Sequence, residues 1–210
     1  MQINILIGTI IASYESGAIS YLYYADRIYQ LPLALIGIAI GIAMLPSISS
    51  KIRSKSFEKI HETIEQTLVY SLLLAVPASV GIFALSEQII AVLFERGEFN
   101  ENSSLFTSKA LKFYSLGLVA FILMKIYTPI FFAYENARPT LYITATNLVI
   151  NTTLSIVLFV NLGFIGIPIA TSISAWISVL LMNYSLYKNN YYQISSRIIF
   201  PGAIIIIASF

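Results

Sequence analysis

Long apolar stretches alternate with short polar ones along this chain, and the apolar stretches have the length of a lipid bilayer. Residues 67–86, 140–162 and 165–187 carry no charge, and residues 113–134 carry only Lys125. About 20 apolar residues are needed to cross the hydrocarbon layer as a helix, so each run predicts a spanning helix. Residues 2–14 form a shorter run, expected to be the end of a further helix. Residues 17–46 predict a longer one with a kink at Pro32, because proline removes a backbone donor inside a helix. A third helix is expected over about residues 61–94, and a fourth from the capping types Asn102 and Ser103 to about Tyr134. Ala137-Arg138-Pro139 and Asn161-Leu162-Gly163-Phe164 read as short turns before the fifth and sixth helices. A seventh begins after Arg197. The expected fold is an all-α membrane protein: one polytopic transmembrane helical bundle over residues 1–210, of about seven helices with the first and last truncated.

Composition agrees with the pattern. The 210 residues are 58% hydrophobic and 10% charged, with a mean hydropathy of +0.82, far more apolar than a soluble domain. The chain has no cysteine and one histidine, His61, in a charged stretch, so disulfides and thiolate metal sites are excluded and no metal or cofactor is expected. A formal charge of +2 is too small to argue for nucleic acid. No HExxH, nucleophile–base pair or glycine-rich phosphate cradle occurs, so no enzymatic activity is expected.

The positions of the charges matter more than their sum. Residues 51–65 are expected to be a solvated connector. Lys51, Arg53, Lys55 and Lys59 fall on one side of the membrane with Arg138, Lys188 and Arg197. The Glu15 turn, the acidic loop around Arg96 and the Asn161 turn fall on the other. An excess of Lys and Arg marks the cytoplasmic face, so the Lys51 connection is expected in the cytoplasm and the Glu15 turn and acidic loop outside.

Ionisable groups inside a span are expensive and suggest function. In the second helix, helical spacing places Ser16, Ser20, Tyr23, Arg27 and Gln30 on one polar stripe, opposite Ala18, Leu22, Ala25, Tyr29 and Leu33. A guanidinium stays charged and offers a planar fork that matches phosphate oxygens, so Arg27 is a candidate ligand of a diphosphate, with Ser20, Tyr23 and Gln30 beside it. The alternative is that Arg27 pairs with a carboxylate on a neighbouring helix and only holds the bundle together. Asp26 lies about 100° around the helix from Arg27, which favours a packing or interfacial role. Lys125 is the other intramembrane cation, lining a cavity or engaged structurally. Thr140, Thr144, Asn147, Asn151 and Ser155 share one face of the fifth helix, and Thr171, Ser174 and Ser178 one face of the sixth. Such stripes usually pack helices together.

Tyr23-Tyr24-Ala25-Asp26-Arg27-Ile28-Tyr29-Gln30-Leu31-Pro32, followed by Gly37-Ile38-Ala39-Ile40-Gly41 and Leu45-Pro46-Ser47-Ile48-Ser49, resembles the MurJ (MviN) lipid II flippases. Leu93-Phe94-Glu95-Arg96-Gly97-Glu98-Phe99 and the segment from Lys125 to Pro129 are similar to that family too. The resemblance implies the fold of the multidrug/oligosaccharidyl-lipid/polysaccharide exporter superfamily, two helical bundles facing a central cavity, of which this chain covers most of the second. It implies a multi-pass protein of the bacterial cytoplasmic membrane that moves the undecaprenyl-diphosphate-linked peptidoglycan precursor across it for cell wall synthesis. It also implies Arg27 as one of the cavity arginines. A first-bundle polypeptide is then the expected partner, supplying the missing helices, with the lipid-linked precursor and membrane lipid. Two other readings stay open: another exporter of the same superfamily, and a non-transporting fragment from a split or decaying gene.

Overall fold

Each apolar run before residue 190 folds as a helix, but the breaks between helices fall differently from the sequence reading. The computed structural model describes residues 2–193; the expected seventh helix and Arg197 lie outside them. Helix α1 is Gln2–Ala12. The turn after it closes on Gly17 at φ 79°, a left-handed conformation that glycine adopts without strain.

From Ala18 to Arg53 the chain is one continuous helical span. It consists of α2 (Ala18–Pro32), a π-helical stretch (Leu33–Ile38) and α3 (Ala39–Arg53). The kink expected at Pro32 is not a break: α2 runs through the proline, and a π-helical segment follows it directly. The span also runs on past Pro46.

The expected connector at 51–65 shrinks to a turn at residues 54–56, because α4 is Phe57–Phe94. Glu58, Lys59, Glu62 and Glu65 are good helix formers, and α4 extends them beyond the apolar part. At 1.5 Å per residue its 38 residues reach about 57 Å, well beyond a hydrocarbon layer of about 30 Å.

Helix α5 is Glu101–Ala133. Its cap is Asn100, not Asn102 or Ser103: the Asn100 side chain accepts from the Ser103 N–H at 3.0 Å. The residue just before the first helical turn is the one placed to satisfy that turn's free N–H groups. Helix α6 is Arg138–Leu162, with proline in its first turn, and a 3-10 turn, Gly163–Ile165, leads into α7, Gly166–Lys188.

Helix α5 sits at the centre, packed against α2, α3, α4 and α7, while α1 leans on α6. Leu111, Leu118, Ile122, Ile126 and Ile130 along α5 are fully buried, as a helix apolar on all sides requires. At one end of the bundle Tyr191 stacks on Tyr134 at 4.1 Å and Tyr192 lies 5.7 Å from the His61 ring, which gathers the basic connections around Lys51, Arg138 and Lys188. At the other end the Glu15 carboxylate accepts the Phe164 N–H at 2.7 Å, and Phe106 meets Phe164. The two groups of loops separated by the charge count are thus at opposite ends.

The polar stripes on α6 and α7 join those helices. Asn147 donates to the Ser174 carbonyl at 3.0 Å and the Ser178 hydroxyl at 2.8 Å. Asn151 donates to Thr171 and Ser174. Asn4 of α1 adds a bond to Asn147 at 3.0 Å.

Candidate functional site

The apolar face read on the second helix is the buried one: Ala18, Leu22, Ala25, Tyr29 and Leu33 are all buried. Turning that face to the core carries the polar stripe outward. Ser16, Ser20, Tyr23 and Arg27 are exposed and Gln30 is half-buried. Arg27 lies nine residues into a membrane-spanning helix that begins at Ala18, about 13 Å along it, so its exposure is on the side of the helix and clear of the preceding loop.

Tyr23 sits one turn before Arg27 and holds it twice. The guanidinium carbon lies 4.6 Å from the Tyr23 ring centroid, and Nη2 donates to the Tyr23 hydroxyl at 3.2 Å. A cation over an aromatic face keeps its charge and leaves the remaining N–H groups free to donate. Among the described residues Arg27 forms no ion pair; the pair that does form joins Lys112 to Glu87 at 2.8 Å. The carboxylate partner of the structural alternative is therefore not supplied by the described helices.

Asp26 lines a cavity of about 140 Å³ between α1, α2, α5 and α7, and Tyr23 of the stripe borders the same cavity. Buried Tyr29 and Tyr114 share this cavity, with their rings 4.9 Å apart. Gln30 donates to the Asp26 carboxylate, so Gln30 is engaged with Asp26 and not with Arg27. Ser20 and Arg27 stay on the open face.

Lys125 is not part of this group. It lies half-buried where α5 crosses the other half of the span. A Cβ on Gly37 would sit 3.4 Å from the Lys125 side chain, and one on Gly41 only 2.9 Å from its backbone oxygen. The Gly37-x-x-x-Gly41 spacing thus lets two helix backbones touch at Lys125, as small residues four apart do in membranes.

Three contacts escaped the sequence reading. Lys112–Glu87 joins residues on different helices, and Glu15 reaches Phe164 across most of the chain, so no local pattern marks either. The third is a pair of aromatic seats for Tyr21 and Tyr24, which depend on phenylalanines from distant parts of the chain.

The comparisons with known proteins agree with this architecture. The family model described as lipid II flippase MurJ matches residues 1–210. A probable lipid II flippase MurJ of Rhizobium tropici is 38% identical over 190 residues, covering 90% of this chain and 36% of the relative. The corresponding protein of Rickettsia prowazekii (strain Madrid E) is 40% identical over 185 residues, covering 88% of this chain and 36% of its own length. The chain thus spans little more than a third of the relatives it matches. Among solved structures, lipid II flippase MurJ in an inward closed conformation superposes with a TM-score of 0.86 at 30% identity, over 99% of this chain and 42% of that one. An outward-facing multidrug transporter of the MATE family in the MOP superfamily shares the fold, with a TM-score of 0.74 at 16% identity over 99% of this chain and 48% of that one. With a family match along its whole length and relatives at 38% and 40% identity, this multi-pass helical membrane chain belongs to the lipid II flippase MurJ family.

Proposed function

We propose that these helices form the second bundle of a flippase that moves the undecaprenyl-diphosphate-linked peptidoglycan precursor across the bacterial cytoplasmic membrane, with Arg27 holding the diphosphate. The observation that carries this reading is Arg27 itself: a permanent charge within a membrane-spanning helix, exposed on the open face of α2, with Tyr23 as its contact and its fork still able to donate. Ser20 and Tyr23 line the same open face and complete the head-group surface, while Gln30 acts through Asp26. Family membership supports the substrate class. The Lys51 end of the bundle faces the cytoplasm in this reading, so Arg27 lies nearer the outer end. A facing first bundle, from the same or a separate polypeptide, closes the cavity, and the bundles rock about the docked head group while the lipid tail stays in the bilayer. No covalent step is needed.

The test is exposure of the lipid-linked precursor at the outer leaflet of cells depleted of their own flippase. The chain is expressed alone and with a first-bundle polypeptide. Exposure restored only with the partner is the expected result; none in either case favours a non-transporting fragment. Arg27→Ala should lower precursor affinity about 10- to 100-fold, the value of a charge-assisted contact, and Arg27→Lys should be partly impaired because it keeps the charge but loses the fork. Unchanged transport by Arg27→Ala refutes the assignment.

A further inference from the structure

One face of helix α2, where Tyr21 and Tyr24 lie three residues apart, is gripped at two aromatic seats. At one, Tyr24 sits between Phe94 and Phe99, the two ends of the α4–α5 turn, at ring separations of 4.9 and 5.2 Å. At the other, Tyr21 packs on Phe106 and Phe164 at 5.4 and 5.6 Å. Tyr23 projects about 100° around the helix from Tyr24, meets its ring edge-on at 5.9 Å and carries Arg27. The turn tip, Glu95 to Glu98, is charged and exposed, with Gly97 at φ 62°; its two ends are the phenylalanines that anchor it.

Each residue turns a helix by about 100°, so a rotation of α2 by a fraction of that would swing Arg27 off its open face. Such a rotation would pull Tyr21 and Tyr24 out of their seats. Of the two seats, that of Tyr24 is the one whose ring meets Tyr23 directly, and it is built by the phenylalanines at the ends of a short loop. We infer that Tyr24 is a positioning residue for Arg27: seated in the Phe94/Phe99 loop, it fixes the angle of α2 and, through Tyr23, the aim of the guanidinium. The inference rests on the reading of Arg27 as an anion ligand, and it links the two sequence motifs around Arg27 and Arg96 through one chain of rings.

The experiment is a double-mutant cycle on binding of a polyprenyl diphosphate to the membrane-embedded protein in lipid nanodiscs. Tyr24→Ala is expected to weaken binding about three- to tenfold, the range of one or two aromatic pairs. Tyr24→Phe keeps the ring and should bind like the parent. Phe99→Leu, which keeps the apolar volume without the ring, gives a second route if Tyr24→Ala folds poorly. In an Arg27→Ala background, Tyr24→Ala should add nothing. The same fold loss with and without Arg27 would mean that Tyr24 only stabilises the bundle, and it overturns the inference, as does full affinity in Tyr24→Ala. If Arg27→Ala itself binds normally, the anion-ligand reading falls and this inference falls with it; a defect in Arg27→Ala with full additivity removes the inference alone.

Discussion

Three glycines in the helices differ in what a methyl group would meet, and the difference converts into a graded stability prediction. At Gly166 an added Cβ would lie 2.5 Å from the Leu158 carbonyl carbon and 2.7 Å from the Phe159 nitrogen, both backbone atoms of α6. At Gly41 it would lie 2.9 Å from the Lys125 backbone oxygen on α5. At Gly81 nothing lies within 4 Å. Carbon contacts settle near 3.5–4.0 Å, so Gly166→Ala must push α6 and α7 apart by about 1 Å and Gly41→Ala must part α3 and α5 by about half that. Backbone atoms cannot rotate away as a side chain would. Overpacking of this kind costs about 1–3 kcal/mol, which places Gly41→Ala within that range and Gly166→Ala at or above its top. Gly81→Ala pays no such cost and gains helix stiffness, about 0.5–1 kcal/mol. Reversible unfolding of the three variants in mixed micelles, followed by circular dichroism, measures all of them on one scale. Equal stability of Gly166→Ala and Gly81→Ala would refute the packing argument, because only the tertiary contact separates the two.

Two further perturbations follow from the hydrogen-bond inventory. Asn151→Ala removes two bonds from α6 to α7; at roughly 0.6 kcal/mol per interhelical bond it should cost about 1 kcal/mol in the same unfolding assay, with α6–α7 crosslinking yields falling in parallel. Tyr192 is fully buried beyond the end of α7, and its hydroxyl has no partner among the described residues. Tyr192→Phe should therefore be neutral or stabilising by up to about 1 kcal/mol. Burial holds the Tyr192 hydroxyl well above its ordinary value of 10.0, with Glu65 adding to the effect. The folded state thus keeps this proton more tightly than the unfolded one: the contribution is complete below pH 10.0 and is lost as pH rises further. Hydrogen exchange around residues 189–193 should speed up on that alkaline limb in the parent and not in Tyr192→Phe.

Helix existence was legible because spanning runs must satisfy every backbone group internally, so length and hydropathy alone mark them. The buried face of α2 was legible for a related reason: with Ala18, Leu22, Ala25, Tyr29 and Leu33 on one side, only one orientation hides them from the open face. The α6–α7 stripe was legible because Asn and Ser at helical spacing have few other uses in lipid. Boundaries were less so. Charged residues such as Glu58 and Glu62 read as connector, yet they extend α4 because helix propensity continues where hydropathy stops. Pro32 announced a disruption but not its form, since a proline is compatible with a bend, a break or a wide turn. At the site, the exposure of Arg27 followed from periodicity. The engagement of Gln30 with Asp26 did not, because it depends on rotamers that spacing leaves free. The seating of Tyr24 between Phe94 and Phe99 depends on how α4 and α5 approach α2, which no single helix encodes.

A π-helical stretch holds more residues than α-helical geometry needs for the same rise. Here it separates two halves of one span that answer to different neighbours: α2 is set by its aromatic seats, and α3 by glycine contacts on α5. Deleting a single residue between Leu33 and Ile38 would turn one half by about 100° against the other and carry Gly41 away from Lys125. Leu35, 76% exposed, can be replaced by any apolar group, whereas Leu33, Ile36 and Gly37 are buried and Gly37 lies against Lys125. The number of residues in this stretch is therefore constrained throughout, while identity is constrained only at its buried positions, so substitutions should be tolerated at Leu35 where insertions and deletions are not.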